Sequence, residues 1–81
     1  MIGKNKKLIV YPNPSKGNIS VDCGFSFTKL AIYNLNGSLV NMIDFNESTD
    51  NTSLSLNLKK GIYFIKAFNE NQISYSRLVI E

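Results

Sequence analysis

The chain has 81 residues, 43% hydrophobic and 19% charged, with a net charge of +3, one cysteine and no histidine or tryptophan. That length fits one domain of globular composition. It excludes an intrachain disulfide, makes zinc implausible with one thiol and no imidazole, and contains no apolar run near the ~20 residues of a membrane-crossing helix.

The N-terminus, Met1-Ile2-Gly3 followed by Lys4, Lys6 and Lys7, lacks the apolar core of a secretory signal. A cytosolic chain and a segment of a longer exported protein both stay open. Residues 1–7 read as a linker or tail, and 8–81 as the folded unit. The remaining basic residues are scattered, without the basic face interleaved with aromatics that nucleic acid requires, so no nucleic-acid partner is expected.

From Leu8 onward apolar and polar residues alternate with period two, and no window shows a helical stripe. Strands are predicted near residues 7–11, 18–23, 28–34, 38–45, 53–58, 62–68 and 73–80. Seven short strands separated by regular turn signals predict an all-β fold, a two-sheet antiparallel β-sandwich. The predicted inward set is Ile19, Val21, Ile32, Leu54, Leu56, Tyr63 and Ile65, with Cys23 as a small buried hydrophobe. Eleven asparagines suit a chain of tight turns, since their side chains bond nearby backbone.

The first strand runs into Pro12 and Pro14. Neither can donate to a ladder, so the strand ends there or lies on an edge, and a turn over Ser15-Lys16-Gly17 follows. Between Phe27 and Leu30 the apolar parity changes, which a loop or bulge over Gly24 to Thr28 would absorb. Asn34-Leu35-Asn36-Gly37 reads as a hairpin loop with Gly37 supplying positive φ. Asp44, Glu47 and Asp50 lie in a polar stretch read as a solvated loop, because their spacing fits no calcium loop. Lys59-Lys60-Gly61 precedes the next strand, where Tyr63 has the position of a tyrosine corner, its hydroxyl bonding back to the preceding loop. Asn69 to Gln72 separates the last two strands.

Four Asn-x-Ser/Thr sequons, at Asn18, Asn36, Asn46 and Asn51, are expected by chance in a chain this rich in Asn and Ser. No serine has an imidazole partner, no glycine-rich phosphate loop occurs, and the carboxylates are scattered. No catalysis, metal or cofactor is expected.

Four blocks in order, "YPNPSKGNISV" (11–21), "LAIYNLNGSLV" (30–40), "LNLKKGIYFIKA" (56–67) and "SRLVIE" (76–81), together resemble the type A C-terminal sorting domain of the type IX (Por) secretion system. The resemblance spans about Leu8 to Glu81. It implies an immunoglobulin-like sandwich that ends an exported protein and guides its cargo from the periplasm through an outer-membrane translocon. A cell-surface sortase then removes the domain, leaving the cargo at the surface or secreted. The implied partners are the translocon, its sortase and the N-terminal cargo, without direct membrane insertion. By position, Tyr11, Pro12, Asn13 and Pro14 match the family's opening motif, Tyr33, Asn34 and Gly37 its central hairpin, and Gly61 and Tyr63 its "GxY" block. Arg77, Leu78, Val79 and Ile80 match its basic-then-apolar ending. Glu81 departs from the terminal lysine of many relatives. The final strand is expected to lie on an edge, open to recognition by strand addition. The alternative is an adhesive or ligand-binding module, with carbohydrate as one candidate ligand, using exposed aromatics such as Phe64, Phe68 and Tyr75.

Overall fold

Alternation of inward and outward side chains runs unbroken from Asn18 to Phe27 in the computed structural model, which describes residues 7–81. Gly24 therefore does not break a strand. The two strands predicted over 18–23 and 28–34 are one continuous strand, and the pair predicted over 38–45 and 53–58 merges likewise. The result is five strands, not seven: β1 (Leu8–Tyr11), β2 (Asn18–Asn34), β3 (Leu39–Ser55), β4 (Gly61–Phe68) and β5 (Ile73–Ile80). No helix occurs among the described residues. Of the tail expected over 1–7, residues 1–6 lie outside the described residues, and Lys7 is exposed before β1.

The sandwich is also corrected. All five strands belong to one antiparallel sheet curled into a half-barrel. β2 is its spine: β3 pairs along one side of both its halves, while the other side takes β1 from Tyr11↔Ser20 to Leu8↔Cys23 and β4 from Lys29↔Phe68 to Asn34↔Tyr63. β5 pairs with β4. The curl brings β1 beside β5, where the Leu8 N–H donates to Ser74 Oγ at 3.1 Å.

Bulges permit the curl. The β2–β3 register shifts between Asp22 and Phe27 and again between Phe27 and Lys29. Each shift is of three residues, the first with the surplus on β2 and the second with it on β3, and both bend and twist the strands without ending them. The parity change falls at the second shift: Cys23, Phe25 and Phe27 point inward before it, and Leu30 and Ile32 after it. The stretch expected as a solvated loop, with Glu47 and Asp50, is instead the part of β3 that passes this bend. The β-branched Thr49 and Thr52 favour an extended backbone there, while Asn46, Glu47, Ser48, Asp50 and Asn51 are exposed.

The concave side holds the core. Phe27, Leu30, Ile32, Ile65 and Leu78 are fully buried, and Phe27 meets Phe45 edge-to-face at 5.6 Å, the arrangement that ring quadrupoles prefer. Every member of the predicted inward set is buried except Leu54, which is half-buried against the cluster. Cys23 is buried as expected.

Candidate functional site

The two prolines end β1 at Tyr11 and turn the chain across the end of the half-barrel. Both preceding peptide bonds, Tyr11-Pro12 and Asn13-Pro14, are cis. Residues 12–15 form a strap laid along the outer edge of β5. Because Pro12 and Pro14 have no N–H, the strap cannot offer a regular ladder. The Asn13 carboxamide takes that role, since it carries one acceptor oxygen and an N–H donor in the same plane as a peptide group does. Asn13 Nδ2 donates to the Arg77 carbonyl at 2.7 Å, and Asn13 Oδ1 accepts from the Val79 N–H at 2.9 Å. The backbone resumes at Ser15, whose N–H donates to the Val79 carbonyl and whose carbonyl accepts from the Glu81 N–H, both at 2.8 Å. A parallel bridge, Ser15↔Ile80, results. The final strand is therefore an edge whose outward groups at Arg77, Val79 and Glu81 are already occupied. An incoming strand would have to displace the strap.

Ser15 locks the strap from beneath. It is 3% exposed, its hydroxyl donates to the Asn18 carbonyl, and it accepts from the Gly17 N–H at 3.0 Å. Gly17 has φ +123°, and a Cβ there would lie 2.5 Å from the Leu56 carbonyl oxygen. The same glycine carbonyl accepts from the Leu56 N–H at 2.7 Å, so the close approach is held from both directions. Sequence reasoning missed Ser15. Its only signal was a small hydroxyl residue immediately after a proline and two residues before a glycine.

The remaining motif residues converge on this end. Opposite the terminal block, Gly61 faces Ile80, Tyr63 faces Leu78 and Phe64 faces Arg77. One strand further in, Asn34 faces Tyr63 and Tyr33 faces Phe64. Four blocks scattered between residues 11 and 80 thus form one transverse band across β2, β4, β5 and the strap. Local chemistry fixes each piece. Tyr63 is buried, and its hydroxyl donates to the Lys59 carbonyl at 2.7 Å, the predicted tyrosine corner. Asn34 Oδ1 accepts from the Asn36 and Ser38 N–H groups, while the Asn34 N–H donates to the Ser38 carbonyl. Gly37, at φ +86°, closes this three-residue loop as the left-handed member of a type I turn plus bulge.

The band mixes structural and exposed groups. Leu78 and Ile80 are core residues, Val79 is half-buried, and Tyr11, Pro12, Asn13, Pro14 and the Arg77 side chain are exposed. Phe64 and Tyr75 share the convex face of the sheet with the half-buried Phe68, and Lys66 lies among them. The Asp44 carboxylate pairs with Lys29 at 2.7 Å on the surface. Among the described residues no group of three His, Cys, Asp or Glu side chains is gathered as a metal site.

A family model described as the secretion system C-terminal sorting domain matches residues 9–81. No curated protein matches the chain.

Proposed function

The chain belongs to the secretion system C-terminal sorting domain family, and we propose that it carries an N-terminally attached cargo, as a folded signal, across the periplasm to a type IX outer-membrane translocon. A cell-surface sortase then cuts ahead of β1 and leaves the cargo at the surface or released. The family is a sorting family and not an enzymatic one, and the sequence has no imidazole for acid–base or nucleophilic work. One observation carries the proposal: motif blocks up to 66 residues apart are bonded into a single band at one end of the fold. A receptor for that band reads a folded surface, with Asn13, Pro14 and Arg77 among its exposed parts, rather than a linear tail.

The test fuses wild-type, Asn13→Ala and Arg77→Ala domains behind one reporter in cells that carry the secretion system. Arg77 is exposed, so its removal is expected to change stability by less than ~0.5 kcal/mol. Lost surface display with unchanged melting supports recognition of Arg77, whereas unchanged display removes it from the recognised set. A wild-type fusion that is retained in the cell defeats the proposal. The second reading, a carbohydrate-binding or adhesive module, draws on one observation, the exposure of Phe64 and Tyr75 on a common face. Binding of the purified domain to a glycan array, with loss in Tyr75→Ala, would support it.

A further inference from the structure

Among the described residues ten large apolar side chains are exposed, and eight of them (all but Ile9 and Tyr11 of β1) lie on or beside the convex face formed by β4, β5 and the second half of β2 with β3. Single exposed apolar residues are ordinary, but a contiguous patch marks an interaction surface. The register lines them up in rows. One row runs Leu39, Tyr33, Phe64, Arg77, and the next runs Met42, Ala31, Lys66, Tyr75. Tyr75 is 59% exposed and Met42 42%, while the small Ala31 between them is 0% exposed. Tyr33, Phe64, Lys66 and Tyr75, with the tip of the β2–β3 hairpin, border a shallow recess of about 350 Å³.

The charges on this face select its partner. Lys29 is compensated by Asp44, but no carboxylate among the described residues pairs with Lys66 or Arg77. Lys66 Nζ instead lies 4.5 Å from the centre of the Phe68 ring and 5.4 Å from that of Tyr33. This holds a cation upright among aromatic rings. We propose that this face is the docking surface for a protein of the secretion machinery, one presenting an apolar anchor side chain flanked by carboxylates. The anchor fills the recess and the carboxylates meet Lys66 and Arg77. A second copy of the chain fits less well, because face-to-face pairing opposes like charges. An anionic lipid surface is normally recruited by a cluster of about four to eight cations, and two fall short of that.

The inference rests on the sorting reading, and its test separates the two. Reporter fusions carry wild-type, Tyr75→Ser, Lys66→Glu, Lys66→Gln or, as a control on β1, Ile9→Ser. In each, a benzophenone side chain replaces Ile73, which is 53% exposed at the rim of the face. Tyr75→Ser and Lys66→Glu are expected to lower surface yield about tenfold, as loss of a single charged or anchoring contact does. Ile9→Ser should export normally, and Lys66→Gln should fall between. Melting temperatures should stay together, since all these side chains are on the surface. Light should yield an adduct with an envelope protein at an apolar, acidic segment, and that adduct should vanish in Lys66→Glu. Equal export of all variants, or an adduct with a second copy, a lipid or a glycan, overturns the docking surface while leaving the sorting reading intact. Retention of the wild-type fusion overturns both.

Discussion

Replacing Asn13 by Ala removes both bonds through which its carboxamide stands in for a peptide group, the one to the Arg77 carbonyl and the one from the Val79 N–H. Each bond contributes about 1 kcal/mol net, so the loss is about 2 kcal/mol. For a domain of this size, each kcal/mol shifts the melting temperature by roughly 4–8 °C, which predicts a fall of roughly 8–16 °C. Hydrogen exchange localises the effect. The Val79 amide points outward to Asn13 and should lose protection, whereas those of Leu78 and Ile80, which alternation turns toward β4, should keep most of theirs. Asn13→Asp divides the pair of bonds: its carboxylate still accepts from Val79 but faces the Arg77 carbonyl without a proton to give. It should be at least as destabilised as the alanine variant at neutral pH. If Asn13→Ala melts within about 2 °C of wild-type and Val79 exchanges at the wild-type rate, the strap is not held as described.

Three further outcomes follow from the same geometry. Gly17→Ala places a Cβ against the Leu56 carbonyl in a strained backbone region; a cost of about 1–3 kcal/mol from the φ alone, plus the broken Leu56 bond, should appear as a lower urea midpoint. Tyr63→Phe removes the hydroxyl that reaches Lys59, and should cost about 1 kcal/mol by the same measurement without altering the circular dichroism spectrum. The buried Cys23 thiol should react with a thiol reagent only through opening of the fold, so its labelling should be slow in buffer and should accelerate through the urea transition.

Period-two alternation made the inward residues legible, because only one face of a pleated strand meets the core. That reasoning placed Ile19, Val21, Ile32 and Ile65 correctly and needed no knowledge of how the strands pair. It misjudged strand ends, since Gly24 and the polar run after Asp44 look like breaks locally. Their strand conformation comes from pairing across β2 and β3, through bulges whose positions depend on both strands together. Tyr63 and the Asn34 hairpin were legible because their bonds are made within four residues in sequence. The strap was not. That Pro12 ends a strand can be read from its ring, but that Asn13 meets Arg77 and Val79 depends on the curl of the whole sheet, and Ser15 carries no local sign of its burial.

The strap also makes the fold a record of the domain's own completion. Asn13 and Ser15 are made before β2, and their partners, Arg77 to Glu81, only after β4. A chain that stopped short of Arg77 could still pair β1 with β2 and β2 with β3. It would leave the Asn13 carboxamide and the Ser15 backbone without partners and the end of β4 bare. Closure of the strap therefore reports that the whole domain, from β1 to β5, has been made and has curled.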